Sequence, residues 1–320
     1  MEFLRLFICS GVLAASLVSA SPTEEPPSFL LKWGSSGSAP GQFNCPYGVA
    51  TDADGNVYVA DAQNARIQVF TGDSTFIRQW GSFGSASGQF SYPVGIAVSQ
   101  AGLVYVSDEG NNRIHSFTLD GVFVTRWGSG GGGPGQFQEP WGVTTDAAGN
   151  VYVTDMTCRV QKFTGAGVFL TGWGSCGSGP GQFDTPIGIT TDSEGNVYVA
   201  DQYNGRIQKF TSDGVFISEW PTGGCYYLAT DASDNVYMTD RVTQVKKFTS
   251  SGALLSQWGS WGTGDGQFRY PTGIAVDCAG NVFVAEKGPG PGSLPRIQKF
   301  GQGATTVRPT SWGAIKARYR

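Results

Sequence analysis

The sequence predicts an all-β protein, a six-bladed β-propeller in which each blade is a sheet of four antiparallel strands. A motif related to "GNVYVAD" occurs six times, once every 39 to 47 residues. A period of this length is typical of propellers and solenoids. Four short segments rich in β-branched and aromatic residues follow one another within each period. The 320 residues include 48 glycines and 16 prolines, which favours tight turns over long helices.

The four strands of each repeat can be assigned in order. The first resembles "GVATD", the second "NVYVAD", the third "RIQKF" and the fourth "VFVTRWGS", and Gly, Asp, Asn or Ser residues bound each of them. Sheets arranged radially leave only short, protected edges, so one four-stranded repeat predicts one blade. The central valines of the second strands are Val57, Val104, Val151, Val197, Val236 and Val282.

The two ends of the chain are predicted to close the ring together. The tryptophan of the fourth strand first occurs at Trp33, before any second strand. After Phe300 no further fourth strand follows. The N-terminal segment "FLLKWGS" is therefore expected to complete the sixth blade.

Four segments are predicted along the chain. In residues 1–20 an apolar run from Leu6 to Val18 precedes the small residues Ser19 and Ala20, which predicts a secretory signal peptide cleaved near Ala20. Residues 21–27 are a linker, 28–303 the propeller and 304–320 a basic tail. We therefore expect a secreted protein, extracellular or periplasmic, that is monomeric and has no membrane span.

Charge and cysteine content exclude some classes. The net charge is −4 and the isoelectric point is near 5.1, so no nucleic-acid partner is expected, because phosphate binding is largely electrostatic. Removal of the signal peptide leaves an odd number of cysteines, which predicts at least one free thiol but leaves the pairing open. These cysteines are Cys45, Cys158, Cys176, Cys225 and Cys278.

The unit "PxGIAVDxxGNVYVADxxNxRIQKF" resembles the NHL repeat, found in a family of six-bladed β-propellers, and the resemblance extends over residues 28 to 300. Three departures stand out. The family's characteristic histidine is replaced by Ala65, Asn112 and Gly205 in three of the blades. Blade five lacks the "WGSxGxGxGQF" connection, and blade six carries the insertion "GPGPGSLP". These departures predict an asymmetric ring.

The segment "DADGNVYVAD" invites comparison with a calcium-binding loop. In an EF-type loop starting at Asp52, a glycine and a glutamate would be needed where Val57 and Gln63 stand. A hairpin turn instead needs an aspartate that accepts hydrogen bonds from nearby backbone N–H groups, and a glycine with positive φ. The pattern therefore predicts a turn, and no metal site.

An acidic residue ends the second strand of all six blades, and an arginine begins the third strand of five. A carboxylate beside a guanidinium across a tight turn forms a strong ion pair, and repetition in every blade indicates a structural role. The carboxylates are Asp61, Asp108, Asp155, Asp201, Asp240 and Glu286. The arginines are Arg66, Arg113, Arg159, Arg206 and Arg296.

Residues that differ between blades at one equivalent place are the binding-site candidates. Because the first strand is innermost in the family that the repeat resembles, the residue between Pro and Gly at its start is expected to ring the channel mouth. These residues are Tyr47, Val94, Trp141, Ile187, Tyr226 and Thr272. Tyr92, Glu139 and Tyr270 precede three of these positions. Clustered aromatic side chains with a few polar groups are typical anchors of protein and peptide sites, although a merely well-packed entrance is the alternative.

We interpret the chain as a non-catalytic binding scaffold for a protein, peptide or glycan, with no cofactor and no catalytic residue. The resemblance also implies an alternative, since related propellers include lyases with histidine-bound zinc and calcium-dependent lactonase-like enzymes. The single histidine, His115, argues against the zinc lyase. A calcium-dependent enzyme of lyase or lactonase type remains the alternative. An RNA-binding propeller is less favoured.

Overall fold

The computed structural model describes residues 24–288 and 294–301, which form six four-stranded antiparallel sheets. In chain order the strands are β1 (Ser28–Trp33), β2 (Pro46–Thr51), β3 (Val57–Asp61), β4 (Arg66–Phe70), β5 (Phe76–Trp80), β6 (Pro93–Val98), β7 (Leu103–Asp108), β8 (Arg113–Thr118), β9 (Phe123–Trp127), β10 (Pro140–Thr145), β11 (Val151–Asp155), β12 (Arg159–Phe163), β13 (Phe169–Trp173), β14 (Pro186–Thr191), β15 (Val197–Asp201), β16 (Arg206–Phe210), β17 (Phe216–Pro221), β18 (Leu228–Thr230), β19 (Val236–Thr239), β20 (Val245–Phe248), β21 (Leu254–Trp258), β22 (Pro271–Val276), β23 (Val282–Glu286) and β24 (Arg296–Gly301). Short 3-10 helices span Ala62–Asn64 and Glu109–Asn111.

The sheets are arranged as the blades of a propeller. Five blades consist of consecutive strands, β2 to β5, β6 to β9, β10 to β13, β14 to β17 and β18 to β21. The first strand of each blade contacts the first strands of its two neighbours around the ring. The first strands therefore surround the central axis, and the predicted six-bladed fold is confirmed.

The N-terminal strand closes the ring, as the sequence predicts. The sixth blade has the strand order β22, β23, β24, β1, and Ser28 pairs with Gly301 while Trp33 pairs with Ile297. The Trp33 ring lies 5.7 Å from Phe70 of blade one and 6.3 Å from Phe283 of blade six. The interface between blades six and one therefore has the same kind of aromatic packing as the other blade interfaces.

Aromatic side chains fill the space between neighbouring blades. Trp80, at the end of the last strand of blade one, lies 6.3 Å from Tyr58 of its own blade and 5.7 Å from Phe117 of blade two. Phe90 of the connection is completely buried against Phe117, with ring centroids 5.6 Å apart. Repetition of this arrangement makes the core a set of similar interfaces around the axis.

The aspartates of the first hairpin in each blade form turns. One oxygen of Asp52 accepts the backbone N–H groups of Asp54 and Asn56 at 3.0 and 2.8 Å. The other accepts Asn56 Nδ2 at 2.8 Å and the hydroxyl of Tyr58 at 3.0 Å. Gly55 has a φ of 78°, which its lack of a side chain permits. Both carboxylate oxygens are thus occupied by the turn and the adjacent strand.

One disulfide joins Cys158, in the turn before β12, to Cys176 in the connection that follows blade three. Cys45, Cys225 and Cys278 are free thiols. Among residues 24–288 and 294–301, no helix is long and apolar enough to cross a membrane. The predicted signal peptide, the basic tail and most of the "GPGPGSLP" insertion lie outside the described residues.

Ring closure can be tested by truncation. A chain beginning at Gly34 lacks β1 and the contacts of Trp33, so we expect it to lose at least about 3 kcal/mol of unfolding free energy, since removing one packed tryptophan costs about 3–5 kcal/mol. Urea denaturation measures the loss, with a chain beginning at Glu24 as the matched control. Equal midpoints for the two chains would show that β1 does not hold the ring closed.

Candidate functional site

The antiparallel blades give the disk two different faces. Pro46 pairs with Asp61, and Asp61 pairs with Arg66, so the start of the first strand and the turn between the second and third strands lie at the same end of a blade. We call this side, which also carries the connections between blades, the connection face. The opposite side carries the Asp-x-x-Gly turns and is called the turn face.

The repeated carboxylates tie the connection face together. One oxygen of Asp61 accepts the backbone N–H of Asn44 at 2.7 Å, and the other accepts Arg66 Nε at 2.8 Å. The Arg66 guanidinium also donates to the carbonyls of Ser38 and Gln42 in the connection, at 2.6 and 2.8 Å. Each carboxylate therefore anchors a loop, and its hydrogen-bonding capacity is used internally.

The corresponding carboxylate and arginine also lie together in the other blades that have both. The N–O distances are 3.0 Å for Asp155 and Arg159, 2.7 Å for Asp201 and Arg206, 2.6 Å for Glu286 and Arg296, and 3.6 Å for Asp108 and Arg113.

Two blades modify this arrangement. In blade two, Arg113 Nε donates to His115 Nε2 at 2.7 Å, and burial lowers the pKa of His115, so the ring is neutral. His115 is fully buried and stacks on Phe117 with ring centroids 5.9 Å apart, which makes it a packing residue. In blade five, Asp240 accepts backbone N–H groups, including those of Val242 and Gln244 at 2.8 and 2.9 Å.

A glycine ring sets the width of the central channel. The glycine of the Pro-x-Gly motif in five blades lies against the backbone of the next first strand. A Cβ on Gly95 would lie 2.2 Å from the carbonyl oxygen of Trp141, and one on Gly142 would lie 2.3 Å from that of Ile187. Real Cβ atoms do not approach this closely, so at these five positions only glycine permits the observed spacing of the inner strands.

Blade five has Tyr227 in this glycine column, and its side chain closes the channel. Tyr227 is 7% exposed, and its hydroxyl donates to the carbonyl of Val94 in blade two at 3.4 Å. Its ring packs edge-on against Tyr226 with centroids 5.1 Å apart. The aromatic ring thus crosses the axis from one blade to the opposite one.

Three candidates from the sequence join Tyr227 in an aromatic plug. The Trp141 ring lies 5.6 Å from Tyr47 and 6.2 Å from Tyr226. Tyr47 and Tyr226 are buried, whereas Trp141 is half-buried. We define the aromatic plug as Tyr47, Trp141, Tyr226 and Tyr227.

The aromatic plug closes the channel, so the candidate residues predicted from the sequence do not surround an open channel mouth. Val94, Ile187 and Thr272 are at most 2% exposed and present no surface to a partner. Glu139 is exposed on the connection face, where its backbone N–H donates to Asn112 Oδ1 at 2.8 Å. The residues that reach solvent at the centre are therefore only part of the predicted set.

A cavity of about 590 Å³ opens on the connection face beside the plug. Tyr47, Tyr92 and Tyr270 line it, together with two cations that the sequence interpretation missed, Arg241 and Lys287. Two cations beside aromatic rings can bind an anionic group while the rings contact an apolar or aromatic body.

The two cations are held against the plug. Lys287 Nζ donates to the Tyr47 hydroxyl at 3.1 Å and lies 5.0 Å from the centre of that ring. The Arg241 guanidinium lies 5.2 Å from the centre of the Tyr226 ring. Burial lowers the pKa of Lys287, and the charge of Arg241 adds to this effect, whereas the nearby Cys45 opposes it. The positive charges are therefore positioned by cation–π contacts.

A signal for these cations does exist in the sequence. Both follow the strand-two carboxylate directly, at a position that differs in every blade. The residues in this column are Ala62, Glu109, Met156, Gln202, Arg241 and Lys287. Glu109, in blade two, is opposite blade five, and burial together with the charges of Glu139 and Asp108 raises its pKa to about 7. The connection face thus has carboxylates on one side of the plug and cations on the other.

The turn face has a separate cavity of about 410 Å³ on the axis. It is lined by the ends of the first strands, including Thr145, Thr191 and Thr230, and it shares no lining residue with the connection-face cavity. Within the described parts of the chain, no group of three or more His, Cys, Asp or Glu residues could hold a metal ion.

The repeat itself identifies the family. Residues 43–70, 90–117 and 183–210 match the family model described as NHL repeat, and these segments supply the first three strands of blades one, two and four. The chain contains NHL repeats. Human NHL repeat-containing protein 3 is 46% identical over 48 residues, which is 14% of either chain. The human E3 ubiquitin-protein ligase TRIM32 is 54% identical over 43 residues, which is 13% of this chain and 7% of the ligase.

Solved structures share the architecture of this NHL propeller at low sequence identity. A streptogramin B lyase superimposes with a TM-score of 0.61 at 17% identity, covering 85% of this chain and 98% of the lyase. A gluconolactonase from Xanthomonas campestris superimposes with a TM-score of 0.59 at 15% identity, covering 88% and 99%. At these identities the likeness shows the fold alone.

The role of Tyr227 predicts a large stability effect. Tyr227→Ala removes a buried ring from the axis, and we expect a loss of about 3–5 kcal/mol in unfolding free energy, as for other buried aromatic residues. Tyr203→Ala is the matched control, because Tyr203 is 68% exposed and its loss should cost less than about 0.5 kcal/mol. Similar denaturation midpoints for both variants would show that Tyr227 is not a packing residue.

Glu109 predicts a pH-dependent stability. Its folded-state pKa of about 7 lies above the usual value of 4.5, so the folded protein binds this proton more tightly and loses stability as the pH rises between these two values. Glu109→Gln removes the cost of burying an ionised carboxylate at this position. We therefore expect the variant to have a higher melting temperature than wild type at pH 8 but not at pH 4. Thermal melts across this range measure the difference. A difference that does not vary with pH would contradict the prediction.

Proposed function

We propose that this NHL propeller is a non-catalytic binding scaffold that recognises a protein, peptide or glycan partner through its connection face. The observation that carries the proposal is the cavity beside the aromatic plug, which is lined by two cations at a position that differs in every blade. A site must be unique in the ring, whereas residues needed for folding recur. Arg241 and Lys287 are each unique in the ring.

Exposed aromatic residues extend this surface outward. Tyr270 of the cavity lies 5.6 Å from Trp261, which is 49% exposed in the connection between blades five and six. The Arg269 guanidinium stacks over Trp261 at 5.3 Å. Trp, Tyr and Arg are the residue types most often found at the energetic centres of interfaces. A continuous surface from Trp261 to the cavity suits a partner with an extended shape.

The alternative of a calcium-dependent enzyme has less support from the site. The repeated carboxylates at the connection face are engaged in ion pairs and backbone hydrogen bonds, as at Asp61 and Asp201. Those of the turn face accept hydrogen bonds within their own hairpins, as at Asp52 and Asp192. Calcium prefers six to eight oxygen ligands, so binding would require several of these contacts to be replaced.

We extend the proposal to an exported, monomeric protein. The apolar run and small residues before Ser21 support cleavage of a signal peptide. The disulfide between Cys158 and Cys176 also supports this location, because disulfides persist in oxidising compartments. The net charge of −4 and the opposite charges on the connection face favour a protein or peptide over a nucleic acid.

Selection from a displayed random-peptide library on the purified propeller tests the proposal. We expect peptides that bind wild type and lose about tenfold or more in affinity on Trp261→Ala or Tyr270→Ala, the scale of an interface hot spot. Val215→Ser, a change at a 63% exposed position in the hairpin between β16 and β17 on the turn face, is the control and should leave affinity unchanged.

Two outcomes would overturn the binding proposal. One is a set of selected peptides that bind all three variants like wild type, which would place the binding surface elsewhere. The other is calcium-dependent hydrolysis of a lactone panel together with a calcium-induced rise in melting temperature, which would establish the enzymatic alternative.

A further inference from the structure

The two cations of the cavity, the exposed Arg241 and the half-buried Lys287, lack the carboxylate partner that the buried arginines of the blades have. Arg66 and Arg206 lie 2.8 and 2.7 Å from their carboxylates, and Lys247 has Glu24 beside it at 2.5 Å. Arg241 and Lys287 have no carboxylate within 4.0 Å among residues 24–288 and 294–301. A half-buried lysine next to an arginine in a protein of net negative charge is a local excess of positive charge.

The ammonium group of Lys287 also has hydrogen-bond donors that its protein contacts do not use. The ammonium group has three donors, and the Tyr47 hydroxyl accepts one hydrogen bond. The same hydroxyl is fixed within the plug, since Tyr47 is 6% exposed and packs against Tyr92 with ring centroids 5.9 Å apart. The remaining donors are available to a ligand in the cavity.

We propose, on the basis of the binding function above, that the cavity takes a carboxylate of an acidic peptide, held between Lys287 and Arg241. The cavity of about 590 Å³ has room for an acidic side chain and its neighbours. Charge-assisted hydrogen bonds from both cations fix the carboxylate. The rings of Tyr92 and Tyr270, with the side chain of Val242, contact the body of the peptide.

The charges of the connection face favour a single acidic group over a polyanion. Glu109 and Glu139 influence each other electrostatically on the opposite side of the plug, and the pKa of Glu109 is raised partly by this repulsion. A nucleic-acid strand crossing the face would bring its phosphates close to these carboxylates. A peptide with one acidic residue in the cavity avoids this repulsion.

Binding of two acetylated pentapeptides tests the proposal by isothermal titration calorimetry. Both are amidated at the C-terminus; one has a single central glutamate flanked by glycines, and the other has a glutamine in place of the glutamate. We expect wild type to bind the glutamate peptide about tenfold or more tightly than the glutamine peptide, the effect of one charge-assisted contact. Lys287→Gln and Arg241→Gln should each remove most of this preference.

Lys32→Gln is the matched control, because Lys32 is an exposed lysine that pairs with Asp265 on the surface. It should keep the preference of wild type, and unchanged thermal melts of the three variants would show that each is folded. Equal affinity of the two peptides for wild type, or a preference that survives both cavity variants, overturns the proposal. Tighter binding of a single-stranded RNA oligonucleotide or of inorganic phosphate would identify a phosphate site and overturn it as well.

Failure of this inference is distinguishable from failure of the binding function. If library peptides depend on Trp261 and Tyr270 but not on Lys287 and Arg241, the connection face binds a partner and the carboxylate proposal alone is wrong. If the selected peptides depend on none of the four residues, the binding surface itself is wrong.

Discussion

The close approach of the six first strands at the axis is the constraint on which the rest of the structure depends. Each Pro-x-Gly glycine packs against the carbonyl of the next blade at a distance that leaves no room for a Cβ, as at Gly48 against Val94. This spacing makes the channel narrow enough for one side chain to close. Tyr227 is that side chain, and it divides the channel into one cavity on each face. The location of the proposed binding surface therefore follows from one departure in the glycine ring.

Repetition separates structural residues from candidate functional ones in this fold. A propeller needs the same turn and the same anchoring ion pair in blade after blade, so residues such as Asp61 and Arg66 are committed to the fold. A binding site needs a feature that occurs once. The residues that follow the strand-two carboxylates meet this requirement, because they point to the same face as the plug and differ in every blade.

Much of the architecture could be predicted from the sequence, because it depends on local patterns that the period repeats. The blade number, the strand order and the closure by β1 follow from counting second strands against tryptophans such as Trp33. The Asp52 turn also follows from local chemistry. The plug could not be predicted in this way. Tyr227 and Val94 are more than one hundred residues apart, and their contact depends on the diameter of the ring, which no single repeat encodes.

The same reasoning explains why the two cations were missed and why they matter. Sequence position places Arg241 and Lys287 in separate blades, next to carboxylates with which charged residues would ordinarily pair. Those carboxylates are already saturated by arginines or backbone N–H groups, as Glu286 is by Arg296 and Asp240 by the turn that follows it. The neighbouring cations are consequently left to stack on tyrosines at the axis. A chain of net charge −4 thus keeps two positive groups together at the centre of one face, where they are accessible to an anionic ligand.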